Sequence, residues 1–351
     1  MSAHLWVRAE PRAHEARVGI TPEGVASLLG LGFSVTVEDS AARAIGIAGY
    51  QAAGAEIAGE GTWVAAPRDA FIFGLKELPD DGTPLVHRHI MFGHAYKGQP
   101  DGQKLLKRFK AGGGTLLDLE YLTDGQGARV AAFGYWAGYA GAALSLTAWA
   151  AQARGAQAGA VQVYSSAPAL LAALQADLSG LFTRPSALII GAKGRVGSGA
   201  RDLCIHMGVP ATLWDQEETK SGGPFPEVLA NEIFLNCILA RPGVPGFVLK
   251  SAVPGPRALR VIGDIACDPG SDFNPVPVYD AVTTWEAPTT RVHETPPLDV
   301  MAIDNLPAML PVESSEDFAA QLLPSLRKLP TLRDEWSRAA AMFDQARATL
   351  R

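Results

Sequence analysis

Apolar positions along the chain switch repeatedly between two spacings, and that switching predicts the architecture. Leu5 and Val7 begin a short strand. Thr21-Pro22-Glu23 reads as a helix cap with proline at the first helical position. Val25, Leu28 and Leu29 then keep helical spacing until Gly30 or Gly32 stops it. Phe33, Val35 and Val37 return to period two. Ala70-Phe71-Ile72-Phe73 is apolar throughout, as strands covered on both faces are. Residues 86–94 predict another strand, 101–111 a helix closed by Gly112-Gly113-Gly114, and Thr115-Leu116-Leu117-Asp118-Leu119 the next strand.

A second series begins after an Ala- and Gly-rich helix near 133–153 and a helix near Leu170–Leu178. Its predicted strands are Ala187–Ile190, Ala211–Asp215, Ile233–Asn236 and Leu259–Ile262. Residues 241–256 and 268–297, rich in Pro and Gly, read as loops. The tail from about Asp304 is helical, with apolar spacing at Phe318, Leu322, Leu323 and Leu326. Alternating strands and helices predict parallel sheets, here two doubly wound α/β domains with a cleft between them.

Composition narrows the class. A length of 351 residues favours two domains or one large barrel. With 48% hydrophobic and 19% charged residues the chain can bury a large core. A net charge of −6 weighs against a nucleic-acid binder. The stretch between Arg129 and Arg154 carries no charge, but its small residues suit a buried helix better than a membrane span. The start of the chain has no apolar core of a signal peptide. Cys204, Cys237 and Cys267 form no CxxC pair, which fits a reducing compartment. The expectation is a cytoplasmic protein without membrane or nucleic-acid partners.

The strongest local motif lies in SALIIGAKGRVGSGARDL, where Gly191, Gly194 and Gly197 sit between an apolar strand and a helix. Glycines there let the backbone approach a pyrophosphate, and the helix N-terminus offers unpaired N–H groups. The spacing departs from G-x-G-x-x-G at the second glycine. Asp215 ends the next strand, near the offset of about 20 residues at which an acid accepts ribose hydroxyls. Gln216-Glu217-Glu218 supplies no arginine for a 2′-phosphate, so NAD is expected rather than NADP.

Other candidates lie in the first series. Lys76 follows a buried strand and is either a desolvated base or a solvated partner of Glu77 or Asp80. His94 closes its apolar run and reads equally as a site residue or a core histidine. Strand parity separates His87 and His89 from His94, and no acid or cysteine stands close by in sequence, so no metal site is expected. Arg17 either grips a carboxylate or pairs at the surface with Glu10 or Glu15. Arg129 follows a turn-rich segment and either faces the cleft or solvates the loop.

The segments RAEPRAHEARVGITPEGVASLLGLGFSVTVEDS, APRDAFIFGLKELP, LVHRHIMFGHAYKGQ, GTLLDLEYLTDGQGARVAAFGYWAGYAGAA, GRVGSGA, WDQEETKSGGPFPE and AIDNLPAMLPVESSEDFAAQLLPSL carry a resemblance over nearly the whole chain. They resemble the alanine dehydrogenase and transhydrogenase superfamily and, within it, the NAD-dependent, L-lysine-forming saccharopine dehydrogenases. The resemblance implies two Rossmann-like domains. Residues 1–130 with 311–351 would form the substrate domain and 131–310 the NAD-binding domain. It implies the reversible reaction saccharopine + NAD⁺ + water ⇌ lysine + 2-oxoglutarate + NADH, by hydride transfer and imine hydrolysis. Lys76 matches the family's base and His94 its second acid/base. Arg17 and Arg129 match carboxylate anchors, with Lys97, Gln99 and Phe133 beside the substrate. Glu77 and Glu120 match acids that tune the site. Gly194, Arg195, Asp215 and Thr219 match NAD contacts. Gly263, Asp264, Ile265 and Ala266, with Ile303, Asp304, Asn305 and Leu306, match segments lining nicotinamide and substrate.

Three positions depart from that pattern. Val196 stands where fungal members have a cysteine, so no disulfide to Cys237 can form. Ala128 and Asn305 replace a basic residue and a histidine. Two other readings remain open: a related opine-type or amino acid dehydrogenase, and a non-catalytic dinucleotide sensor. A monomer or small homo-oligomer is expected.

Overall fold

The structure is a computed structural model that describes residues 3–97, 100–239 and 241–350. The chain divides into two compact units, Met1–Ala132 with Pro311–Arg351, and Phe133–Leu310.

Unit 1 is built on six strands: β1 (His4–Val7), β2 (Ser34–Glu38), β3 (Glu56–Ala58), β4 (Phe71–Phe73), β5 (Arg88–Met91) and β6 (Thr115–Asp118). Their order is β3-β2-β1-β4-β5-β6, and every neighbouring pair is parallel. All three residues of β4 are buried, as its unbroken apolar run requires. Each such side chain contributes about 1.5–3 kcal/mol on removal from water. Helices α1 (Pro22–Gly30), α2 (Ile47–Ala52) and α3 (Pro100–Gly112) connect the strands, and α9 (Pro311–Leu326) and α10 (Glu335–Ala348) complete the unit. The Thr21 hydroxyl accepts from the Gly24 N–H and caps α1, with Pro22 in its first turn.

Unit 2 has the order β11-β12-β10-β9-β7-β8. Its strands are β7 (Ala187–Ile190), β8 (Ala211–Trp214), β9 (Ile233–Asn236), β10 (Val261–Asp264), β11 (Thr290–Glu294) and β12 (Pro297–Met301). Only the β11–β12 pair is antiparallel. Its helices are α4 (Gly134–Ala153), α5 (Ala167–Asp177), α6 (Arg195–His206), α7 (Gln216–Thr219) and α8 (Pro226–Ala230). The uncharged stretch is α4, and close packing explains its small residues. A Cβ on Gly138 would lie 1.7 Å from the Val196 carbonyl oxygen of α6, and one on Gly199 would lie 1.9 Å from that of Tyr135. Among the described residues no helix is long and apolar enough to cross a membrane.

Several expected boundaries need correction. The strand expected over 86–94 is confined to Arg88–Met91, so His87 and His94 fall outside it. The stretch 268–297 is not all loop, because it contains β11, tied to β12 by a ladder with a bulge near Arg291. The helical tail begins with a 3₁₀ turn, Leu306–Met309, before α9.

Candidate active site

In an open parallel sheet, ligands bind outside the carboxyl ends of the strands, where the strand order reverses. In unit 1 that point lies between β1 and β4. Lys76 stands there, three residues beyond β4. Its amine is pushed below the ordinary lysine range, mainly by burial and then by the cations Arg17 and Arg12, against the pull of Glu15 and Glu77. It is not in an ion pair with Glu77 or Asp80: Glu77 faces Arg12 at 3.7 Å and Asp80 faces Lys104 at 3.1 Å. The desolvated reading of Lys76 is the one this geometry fits. Arg17 also departs from the surface-pair reading. It pairs with Glu15 through Nε (2.8 Å) and Nη2 (2.5 Å), but both side chains are buried.

His94 lies just past β5 with a positive φ of 47°. Its ring stacks on Phe92, and its Nδ1 is 3.6 Å from Glu120 Oε2. Glu120 Oε1 in turn accepts from Lys97 Nζ (3.2 Å) and Arg129 Nη2 (3.1 Å). The His94 ring beside it, with the charges of Lys97 and Arg129, pulls the Glu120 carboxyl down to about 2. Thus one carboxylate gathers His94, Lys97 and Arg129. Beneath it, the buried Asp118 carboxylate accepts from the Gly93 N–H (3.2 Å) and the Glu120 N–H (2.9 Å). A cavity of about 430 Å³ is lined by Glu77 and His94 together with Asp80, Asp101 and Arg108. Gln99 lies outside the described residues.

In unit 2 the order reverses between β7 and β9. Gly191 follows β7 with φ +88°, and a Cβ there would lie 2.5 Å from Ile238 Cγ2 and 3.0 Å from the Cys237 carbonyl. A Cβ on Gly197 would lie 2.1 Å from the Gly191 carbonyl oxygen, so the turn closes only with glycine at both places. Gly194 is the N-cap of α6, Arg195 is its exposed first residue, and no side chain caps this end. This end of the helix carries the positive pole of its dipole, to which an anion is attracted. Asp215 follows β8; its Oδ2 accepts from the Lys193 N–H (3.0 Å) and its Oδ1 from the Gln216 N–H (2.9 Å). Asp215, Thr219, Ile238, Arg241 and Phe247 line a cavity of about 640 Å³. A glycine cradle, an uncapped helix end and an acid lining a roomy cavity fit the diphosphate and ribose of a dinucleotide.

The later segments divide. Gly263 is required by packing, because a Cβ there would lie 2.3 Å from Ser145 Oγ on α4. Asp264 departs from the expectation of a substrate contact. Its side chain is buried and accepts from Asn236 Nδ2 (2.8 Å), the Tyr279 hydroxyl (2.7 Å) and the Cys267 N–H (3.3 Å). Ile265, Ile303, Asn305 and Leu306 are buried in unit 2, Ala266 and Phe133 are half-buried, and Asp304 is exposed.

The family described as Alanine dehydrogenase/PNT, N-terminal domain matches residues 6–140. A protein of Emericella nidulans named saccharopine dehydrogenase [NAD(+), L-lysine-forming] is 43% identical over 369 residues, 99% of this chain and 98% of its own. Its namesake from Candida albicans is 41% identical over 99% of this chain and 97% of its own. The chain belongs to the NAD-dependent, L-lysine-forming saccharopine dehydrogenase family. Solved structures agree on the fold of this family member. An L-alanine dehydrogenase superposes with a TM-score of 0.68 at 17% identity, covering 98% of this chain and 94% of that one. The transhydrogenase of Sinorhizobium meliloti gives 0.65 at 18% identity, covering 96% and 97%.

Sequence reasoning missed Arg8 and Asp118, and placed Glu10 only as a surface partner of Arg17. In the structure Glu10 and Asp118 hold backbone N–H groups beside Lys76 and His94. The contacts that bring them to the site are to main-chain N–H groups distant in sequence, which no side-chain spacing announces.

Proposed function

We propose that the chain catalyses the NAD-dependent oxidative cleavage of saccharopine to L-lysine and 2-oxoglutarate, and its reversal. The observation that carries this reading is the identity of 41–43% to enzymes of that name over nearly the full chain. NAD, when bound, supplies the hydride acceptor. Gly191, Gly194, Gly197 and the first turn of α6 would hold its diphosphate, and Asp215 its adenosine ribose.

Lys76 takes the proton from the secondary amine of saccharopine. A lysine can do this only when its amine is neutral, and burial beside Arg17 and Arg12 supports that state. His94 moves protons to and from water during hydrolysis of the resulting imine, with its ring placed by Phe92 and Glu120. Arg17 and Arg129 anchor substrate carboxylates, with Lys97 and Gln99 beside them. Glu77 and Glu120 keep the cluster of cations from repelling itself. The acidic net charge and the three free thiols support a cytoplasmic enzyme of small molecules, monomeric or a small homo-oligomer, without nucleic-acid partners.

The test is NADH oxidation with 2-oxoglutarate and, in turn, lysine, ornithine, alanine and ammonia. Turnover with lysine alone is expected. Turnover with alanine or ammonia but not lysine would overturn the substrate assignment. NADH binding without any turnover would overturn the enzymatic reading.

A further inference from the structure

At the reversal point of unit 1, the chain leaves β1 into Arg8-Ala9-Glu10 and leaves β4 into Gly74-Leu75-Lys76. One ion pair joins these two segments. Glu10 Oε1 accepts from the Leu75 N–H (2.6 Å) and Oε2 from the Lys76 N–H (3.0 Å). Arg8 Nη1 donates to Glu10 Oε2 (3.3 Å), while its Nη2 donates to the Lys76 carbonyl oxygen. The Arg8 and Glu10 side chains are only 1% and 9% exposed. The main-chain N–H and C=O of Lys76 are thus both held by the same buried pair just beyond the adjacent strand. The approach is close: a Cβ on Gly74 would lie 2.4 Å from the Arg8 guanidinium carbon, so any larger residue there would displace the guanidinium.

We propose that the Arg8–Glu10 pair is the positioning device for Lys76, fixing the direction in which its side chain leaves the sheet. The proposal rests on the reading of Lys76 as the base. The pair spends its hydrogen bonds on backbone, and its two charges largely cancel, so it sets geometry rather than local potential. The charged groups that bear on the Lys76 amine are Arg12, Glu15, Arg17 and Glu77. Their effect depends on where the amine sits, and that place is what Arg8 and Glu10 determine. A misplacement of about 1 Å at a reacting group costs on the order of 100-fold in rate.

The decisive comparison is Glu10→Gln against Glu335→Gln in the full-length protein. Glu335 is a similarly buried carboxylate of unit 1 that accepts from the Ser325 hydroxyl and from Lys328 Nζ, on elements away from the Arg8–Glu10 segment. Saccharopine oxidation is followed across pH, with NADH binding as the check on folding. Glu10→Gln is expected to lower kcat about 10- to 100-fold with little change in the KM for NAD, and to displace the limb carried by Lys76. Glu335→Gln is expected to lower thermal stability while leaving that limb in place. Arg8→Lys keeps a cation beside Glu10 but loses the fork that also reaches the Lys76 carbonyl, so a smaller loss of kcat with a displaced limb is expected if Glu10→Gln does not fold. A wild-type kcat and limb in Glu10→Gln, or the same loss of kcat with the same limb displacement in Glu335→Gln, overturns the positioning role. Full turnover in Lys76→Met would instead overturn the assignment of the base on which the proposal stands.

Discussion

Asp118 ends β6 and Glu120 stands two residues past it, yet their carboxyls are driven to opposite ends of the carboxylate range. Burial, with the nearby charge of Glu120, pushes Asp118 up to about 6. The adjacent His94 ring and the charges of Lys97 and Arg129 pull Glu120 down to about 2. The pair illustrates how environment assigns one acid to hold cations and its neighbour to hold backbone.

Asp118 therefore carries an unusual pH signature. Its pKa is raised on folding, so between its ordinary value of 3.8 and about 6 the native state binds a proton that the unfolded chain lacks. Its contribution to stability must then fall as pH rises through that window. In Asp118→Asn the loss of stability relative to wild type should be larger below about pH 4 than above about pH 6, measured by urea unfolding at both ends. An identical loss at both ends would show that Asp118 ionises normally.

Lys76→Met and His94→Gln should each lower kcat by about 10²- to 10⁴-fold, the range for general acid–base groups. For Lys76 a sign is also fixed. Its lowered amine must be neutral to accept a proton, so saccharopine oxidation should rise with pH through a limb below the ordinary lysine value of 10.5. That limb should vanish in Lys76→Met. Steady-state pH profiles of the two variants and the wild type are the measurement.

Asp215→Ala should act on the cofactor and leave the chemistry. A hydrogen bond to a charged group is worth about 1.5–3 kcal/mol, which corresponds to about 10- to 100-fold in affinity. The KM for NAD should rise by that factor, kcat at saturating NAD should stay within a few-fold, and the preference for NAD over NADP should shrink. Side-by-side kinetics with the two cofactors would reveal it, and an unchanged KM for NAD would remove Asp215 from the ribose site.

His89 predicts acid sensitivity. Its ring is fully buried between Trp63 (5.2 Å) and Phe109 (5.4 Å), and neither ring nitrogen has a hydrogen-bond partner. Burial, with Arg8 and His87 nearby, holds its pKa well below the ordinary 6.5. The unfolded chain takes up the proton that the native state refuses, so stability is lost as pH falls below 6.5. His89→Phe keeps the edge contacts and removes the titration. Its melting temperature should match or exceed that of the wild type, with an advantage that grows toward acid. Parallel melting curves of equal separation at neutral and acidic pH would refute this.

The apolar runs made much of the fold legible in the sequence. Phe71-Ile72-Phe73 and Ala187–Ile190 are buried on both sides, and a parallel strand covered by helices can be built from little else. The glycine loop was readable for the same reason, because Gly191 and Gly197 answer to contacts within a few residues of chain. What could not be read was whatever depends on distant backbone. β3 is an edge strand of three residues, none of them fully buried, and leaves no periodic trace. β11 is half-buried along nearly all its length and lies in a stretch whose prolines and glycines suggested loop. At the site, Lys76 stood out by following a strand, but Glu10 meets it across 66 positions of chain through a main-chain N–H. Arg17 was legible as a cation and illegible as a buried one, since its partner Glu15 is two residues away and that spacing looks like surface chemistry.

Glu38 closes a comparison between the two units. It ends β2, the second strand of its series, as Asp215 follows β8, the second strand of its own. In unit 2 that acid lines an open cavity. In unit 1 it is consumed by an indole and three main-chain donors. The turn after β1, whose counterpart after β7 keeps glycines, is occupied by Arg8 and Glu10, a cation with its own carboxylate already in hand. The first half of the molecule is thus a nucleotide-type scaffold that has become its own ligand. Restoring glycines to it would not create a second dinucleotide site, because both polar positions that such a site needs have been turned inward to aim a lysine.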